Sequence, residues 1–228
     1  MAPDPDELID EQIAYYRARA PEYELWWTES GPGGLRAWDD EVRALEAAVD
    51  AFGPAGSVLE LACGTGLWTR VLARTADRIT AVDASPETMA LNRQRLPAGG
   101  CPVTFVEADL FNWEPAERHD LVFFSFWLTH VPPSRFEWFW ALVERALAAD
   151  GRFFLIDNRQ SDWVRGDGQA PGDDVSLRHL RDGRPYRIVK VFYEPDKLSA
   201  RLSALGWEAD LAATGDAFIY GGGRRRRR

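Results

Sequence analysis

The run VLELACGTGLWT, Val58–Thr69, ends a tight apolar segment in two glycines one residue apart, Gly64 and Gly66, and then opens a helical pattern. Glycines so placed let backbone N–H groups approach a ligand closely at a helix start. Two carboxylates follow at the ends of the next strand patterns: Asp83 closes RITAVD and Asp109 closes CPVTFVEAD. A carboxylate at Asp83, one helix and one strand beyond the turn, can accept from both hydroxyls of a ribose. The competing role is to cap the next helix, which Ser85 and Pro86 already fill. Asp109 can accept from an exocyclic amino group with Leu110 over the face of a base, or it can make a local turn. The third glycine of the dinucleotide fingerprint would fall at Thr69. The spacing therefore disfavours a pyrophosphate and suits a phosphate-free ligand whose carboxylate and amine lie by the turn.

Other reactive residues are few. The three histidines, His119, His130 and His179, are scattered, and the two cysteines, Cys63 and Cys101, have no metal-ligand spacing, so no metal site is expected. His130, in WLTHVP, stands on the rim where a base would act, or else is a hydrogen-bonded histidine at a helix entrance. His179 is a second candidate if its segment folds over the pocket. His119 precedes the fourth strand, at the wrong end, and is expected to be solvated. Cys63 reads as a small residue fitting a crowded turn rather than a nucleophile. Of the ten tryptophans, Trp26, Trp27, Trp68, Trp113 and Trp127 fall near strand ends or the N-terminal segment, whereas Trp138 and Trp140 read as core.

These residues need a scaffold that brings them together. From Ser57 to Asp157 strand and helix patterns alternate: SVLELA, RITAVD, CPVTFVEAD, DLVFFSFW and GRFFLID, with helical runs between them. Ser134 and Glu137 form a capping-box pattern ahead of one such helix. Alternation of this kind implies a parallel sheet with helices on both faces, whose ligands gather beyond the carboxyl ends of the strands. Before it, DELIDEQIAYYRARAPEYELWW reads as two short helices split at Pro21, with Ile9, Ile13 and Tyr16 on one face. After it come a polar loop, a hairpin turning at Asp182-Gly183, a helix ending at Gly206 and two closing strands. The expectation is one domain over 1–223: a helical cover (1–50), a ligand-binding core (57–157), a flexible loop and hairpin (158–194), and a closing helix and strands (195–223). The arginines at 224–228 read as a disordered end. With 228 residues, a net charge of -9 and no apolar run of membrane length, the chain reads as a cytoplasmic protein without a broad nucleic-acid surface.

As a set, VLELACGTGLWT, AVDASPETM, FVEADLF and DLVFFSFWLTHVP resemble the motifs of class I S-adenosylmethionine-dependent methyltransferases, and YYRARAPEYELWW and DGRPYRIVKVFYEP are similar to the bacterial small-molecule branch. The resemblance implies a Rossmann-like α/β three-layer sandwich with a seven-stranded, mostly parallel sheet whose last strand is antiparallel. It implies S-adenosylmethionine as cofactor and S-adenosylhomocysteine as product. Carried over, Glu60, Ala62, Gly64 and Gly66 would surround the amino-acid end, and Asp83 would hold the ribose. Ala84 and Met89 would lie beside the adenine, with Asp109 and Leu110 at its edge. Phe126 would lie under the methionine part, and Tyr16 and Arg19 would close over the carboxylate.

The implied reaction is in-line methyl transfer to an O, N or C atom of a small molecule, with His130 as candidate base and Tyr15 and Tyr23 as further groups within reach. Two alternatives stand beside it. One is a non-catalytic protein binding S-adenosylmethionine or another small ligand; the other is a nicotinamide-dependent oxidoreductase, which Thr69 disfavours.

Overall fold

Five consecutive buried residues, Ser57–Leu61, form the first strand, β1. A computed structural model describes residues 5–22, 35–53, 55–160, 172–215 and 217–227. The other strands are β2 (Arg78–Asp83), β3 (Val103–Glu107), β4 (His119–Ser125), β5 (Leu147–Asn158), β6 (Val175–His179), β7 (Pro185–Val189), β8 (Trp207–Thr214) and β9 (Phe218–Arg225). The helices are α1 (Pro5–Arg19), α2 (Leu35–Phe52), α3 (Thr69–Leu72), α4 (Pro86–Arg95), α5 (Phe136–Ala146) and α6 (Pro195–Ala204).

Seven strands make one sheet in the order β3-β2-β1-β4-β5-β9-β8. The pairs from β3 to β5 are parallel, and β9 runs antiparallel to both β5 and β8. The last strand in the chain is thus the antiparallel one, inserted one place in from the edge. The strands alternate between two cores: Leu59, Leu61, Val122, Phe124, Phe153 and Leu155 pack on the α5 and α6 side, and Val58, Ile79, Ala81, Leu121, Phe123 and Phe154 on the α2, α3 and α4 side. A strand apolar on both faces must lie between two layers, hence the three-layer sandwich. Trp140, Phe153 and Trp207 meet edge-to-face at centroid separations of 4.8–5.4 Å, the favoured arrangement of ring quadrupoles.

Two local expectations are corrected. The arginine end is part of the fold: β9 continues to Arg225, Arg224 pairs with Glu208 (3.3 Å), Arg225 with Glu144 (2.9 Å) and Arg227 with Asp150 (2.9 Å). The preceding glycines explain the run, since a Cβ on Gly223 would stand 2.1 Å from the Glu208 carbonyl and one on Gly222 2.5 Å from the Phe52 ring. The capping box at Ser134 does not form: Pro133–Arg135 make a 3-10 turn, α5 starts at Phe136, and its N-cap Arg135 makes no side-chain capping bond. Ser85 does cap α4, accepting from Thr88 N–H with Pro86 at the first helical position.

β6 and β7 form a separate hairpin. Leu180 N–H donates to Arg184 O (3.0 Å), and Gly183 takes φ +86° in the turn. α1 is followed by a 3-10 turn, Ala20–Glu22; Tyr23, Trp26, Trp27 and most of the 158–174 loop lie outside the described residues. α1 packs on the hairpin through Tyr15, Leu180 and Ile188. Among the described residues no helix is long and apolar enough to cross a membrane.

Candidate active site

The turn after β1 brings the two glycines into different environments. Gly64 has φ +51° and open space where a Cβ would stand; Gly66 has φ +88°, and a Cβ there would lie 2.3 Å from Asn92 Oδ1. Gly66 therefore lets α4 pack against the turn, while Gly64 leaves room beside the cavity it lines. Ala62 also has a positive φ, +54°, as does Phe126, +52°, after β4. For non-glycine residues this conformation costs about 1–2 kcal/mol each, and both residues line the same cavity.

Beneath the turn Asn92 Nδ2 donates to Thr69 Oγ1 (2.7 Å), which donates to Glu60 Oε2 (2.6 Å). Burial pushes the Glu60 carboxyl up to about 8, offset in part by the Thr69 bond and reinforced by the Asp83 charge. Burial also holds the Cys63 thiol well above its ordinary value, so it is no nucleophile at neutral pH.

The next carboxylates are tied to backbone. Asp83 Oδ2 accepts from Gly64 N–H and Oδ1 from Ser85 N–H, both at 2.8 Å. Its pKa is raised by burial against the pull of these bonds. Asp109 Oδ1 accepts from Phe111 N–H (3.0 Å) and Oδ2 from Asn112 Nδ2 (2.6 Å), so it makes the local turn and faces the cavity at once.

At the β4 end a 3-10 turn, Leu128–His130, carries His130. Its Nδ1 lies 2.7 Å from Val189 O, and its Nε2 lies 2.9 Å from Tyr16 Oη. A carbonyl can only accept, so Nδ1 carries the proton and Nε2 accepts from the Tyr16 hydroxyl. Gln12 closes a ring around this pair, donating from Nε2 to His130 O (3.3 Å) and accepting at Oε1 from Val189 N–H (3.1 Å). Burial, and then the charges of Lys190, Arg178 and Arg19, hold the imidazole well below its ordinary pKa. Behind it Lys190 Nζ donates to Thr129 Oγ1 and Asn158 Oδ1 (both 2.9 Å), and Thr129 Oγ1 donates to Asp157 Oδ1 (2.8 Å). Burial brings Lys190 down to about 7, against the pull of Asp157.

Gln12, Tyr16, Cys63, Gly64, Asp83, Asp109 and His130 border one cleft of about 940 Å³, its mouth included, within the range of small-ligand sites. Of the residues expected from sequence it gathers Tyr16, Ala62, Gly64, Asp83, Ala84, Asp109, Leu110, Phe126 and His130. Four do not border it. Glu60 and Gly66 lie under the turn, Met89 is buried in the core with Val71 and Leu72, and Arg19 stands over the Tyr15 ring at 5.6 Å. Tyr15 packs under the hairpin instead of reaching the cleft. His119 is buried as the first residue of β4, 3.4 Å from Thr80 Oγ1, and not solvated, because the sheet covers it. His179 is exposed on β6. Trp68 and Trp127 border the cleft, and among the described residues neither indole N–H finds a partner. Trp113 is partly buried against the core. Among the described residues no His, Cys, Asp and Glu cluster could hold a metal ion.

Ile13 borders the cleft on the same helix face as Tyr16, and Gln12, Thr88 and Ser125, not singled out from sequence, border it too. Gln12 had a signal, since it stands one helical turn before Tyr16. So did Lys190, a lysine within the apolar run RIVKVFY.

Residues 58–151 match a family described as methyltransferase domain. The DhpI–SAH complex is 38% identical over 97% of this chain and 98% of that one, with a TM-score of 0.78. The DhpI–SAM–HEP complex is likewise 38% identical, over 95% and 97%, with a TM-score of 0.79. The Burkholderia thailandensis 1,6-didemethyltoxoflavin-N1-methyltransferase with bound 1,6-didemethyltoxoflavin and S-adenosylhomocysteine shares the fold at 21% identity over 100% and 92%, with a TM-score of 0.67. Trans-aconitate 2-methyltransferase of Escherichia coli O1:K1 / APEC is 40% identical over 77 residues, 33% of this chain. The chain spans 29% of the length of the curated relatives it matches.

Proposed function

Because the chain belongs to the class I S-adenosylmethionine-dependent methyltransferases, we propose that it transfers a methyl group from S-adenosylmethionine to an O, N or C atom of a small molecule. The observation that carries this reading is that one cleft at the ends of β1 to β4 is bordered by Gly64, Asp83 and Asp109 together with Tyr16, Phe126, Trp127 and His130.

The residues fit that cofactor. Gly64 leaves a cradle that a Cβ would fill, and the partnerless indole N–H groups of Trp68 and Trp127 border the same space. Asp83 would take the ribose hydroxyls, Asp109 and Leu110 the adenine edge with Ala84 beside it, the Ala62–Gly64 turn the amino-acid end, and Phe126 the methionine chain. Glu60, Gly66 and Met89 would act from beneath by holding the turn and α4. When bound, the sulfonium supplies an activated methyl group for in-line displacement by an acceptor lone pair, leaving S-adenosylhomocysteine. The protein's part is to align the acceptor and keep the cleft dry. α1 does the latter: Ile13 and Tyr16 face the cleft, and Arg17 fastens the helix to Ala84 O by two bonds of 3.0 and 2.6 Å.

The relatives named for trans-aconitate and 1,6-didemethyltoxoflavin support a small-molecule acceptor, and the net charge of -9 supports it over a nucleic acid. The two free thiols, Cys63 and Cys101, support a reducing, cytoplasmic setting. Thr69, engaged with Glu60 where a dinucleotide site has glycine, supports this reading over the nicotinamide one. Calorimetry with S-adenosylmethionine and S-adenosylhomocysteine tests it. Micromolar binding of both is expected, with S-adenosylhomocysteine released on turnover; absence of heat with either ligand would refute it.

A further inference from the structure

The chain Val189 O···His130···Tyr16 leads us to infer that Tyr16, and not His130, is the group that meets the acceptor, that His130 is the positioning residue behind it, and that the acceptor is a hydroxyl. This rests on the methyltransferase reading above.

The geometry gives each nitrogen of His130 one partner. Nδ1–H is spent on the Val189 carbonyl at 2.7 Å, and Nε2 is engaged by the Tyr16 hydroxyl at 2.9 Å. The imidazole thus has no lone pair directed at a third group. Tyr16, whose proton is committed to Nε2, can engage a further partner only through oxygen lone pairs, as an acceptor. Both residues border the cleft that Asp83 and Asp109 also line. Three elements fix the pair: α1 supplies Tyr16 and Gln12, the turn after β4 supplies His130, and β7 supplies Val189.

The proton balance selects the acceptor. As the acceptor oxygen bonds to the methyl carbon, its O–H bond breaks and its proton passes to Tyr16 Oη. The phenolic proton passes to His130 Nε2. The positive charge brought by the methyl donor ends on the imidazolium, and Tyr16 is restored. The groups around His130 are Tyr16 and Arg19 on α1, Arg178 on β6 and Lys190 after β7, and burial first, then the cations, make it a weak base. A methylated hydroxyl oxygen is an oxonium, a far stronger acid than any imidazolium, and gives its proton up even to so weak a base. A methylated amine would keep its proton, and a carboxylate brings none.

Nitrogen NMR of histidine-labelled protein, with the His130 signals assigned by His130→Gln, tests the geometry without a substrate. A single tautomer protonated at Nδ1 is expected from pH 6 to 8, with the Nε2 signal displaced in Tyr16→Phe. Turnover is then followed as S-adenosylhomocysteine release with panels of small alcohols, amines and carboxylic acids. Alcohols alone should react, and Tyr16→Phe should lose about 100-fold or more in kcat while calorimetric affinity for S-adenosylmethionine stays within about threefold. An Nε2–H tautomer, an imidazolium at pH 7, full turnover in Tyr16→Phe, or reaction only with amines or acids would overturn the relay. No heat with S-adenosylmethionine would overturn the methyltransferase reading and the relay together.

Discussion

Gly64 N–H donates to Asp83 Oδ2 at 2.8 Å, which joins the glycine turn after β1 to the carboxylate at the end of β2. The two features that stand out separately in the sequence are one hydrogen-bonded unit. Asp83 sets the position of the backbone that should meet one end of the cofactor while its oxygens await the ribose. Asp83→Ala should therefore weaken S-adenosylmethionine binding by more than one pair of hydrogen bonds. Bonds to charged groups contribute about 1.5–3 kcal/mol each, so a loss of at least about 100-fold is expected by calorimetry. Asp83→Asn, which keeps one acceptor oxygen, should fall between. Unaltered affinity in Asp83→Ala would remove the ribose assignment.

The two glycines should separate stability from binding. In Gly66→Ala the new methyl meets Asn92 at 2.3 Å. The asparagine must move and its bond to Thr69 is strained or lost, so destabilisation of roughly 2–4 kcal/mol is expected from φ strain, displacement and the weakened bond together. Gly64→Ala carries only the φ strain, about 1–2 kcal/mol, but its methyl projects into open space beside the cleft and should lower cofactor affinity. Urea unfolding and calorimetry on both variants decide the matter: equal loss of stability, or tighter binding by Gly64→Ala, would contradict the division of labour.

Glu60 should make stability fall with rising pH. Its carboxyl titrates at about 8 when folded and near 4.5 when exposed. Below pH 4.5 both states hold the proton. Between 4.5 and 8 the unfolded chain releases it and the folded chain does not, so unfolding is increasingly favoured as pH rises. At about 1.4 kcal/mol per unit, the loss across that window reaches about 5 kcal/mol. Glu60→Gln keeps an acceptor for Thr69 without the ionisation. Its stability relative to the parent should rise steadily from pH 5 to 8 in urea unfolding, and a constant difference would show that Glu60 does not carry this dependence.

What the sequence made legible follows from what is local. Gly64, Gly66, Asp83 and Asp109 each end a strand pattern, and a parallel sheet brings all such ends to one side; their gathering follows from order alone. Tyr16 and His130 are far apart in the chain, and nothing in either segment signals that they touch. The contact depends on α1 lying across the turn after β4, with the hairpin strand β7 supplying a backbone carbonyl, which has no sequence signature. The arginine end and Ser134 misled for a similar reason. Arg224, Arg225 and Arg227 find carboxylates on β8, α5 and β5, distant in sequence, while Pro133 starts a tighter turn that draws Ser134 inside.

The Lys190–Asp157 pair should behave as a coupled unit that supports the turn carrying His130. Lys190 Nζ donates to Thr129 Oγ1, and Thr129 donates from both backbone and hydroxyl to the Asp157 carboxylate. Removing the lysine alone leaves a buried carboxylate without its opposing charge, whereas removing the carboxylate alone takes away the charge that opposes the burial-driven fall of Lys190 and leaves a neutral buried amine. Lys190→Met should therefore cost about 3–5 kcal/mol and Asp157→Asn less, and the double variant should cost clearly less than the sum, since replacing both partners relieves both desolvation penalties. Lys190 also contributes to the field that keeps His130 neutral, so Lys190→Met should raise the pH at which the His130 nitrogen signals titrate. Urea unfolding of the four proteins gives the coupling energy and histidine NMR gives the titration. Strict additivity, or an unchanged His130 titration, would separate this buried cluster from the histidine it underlies.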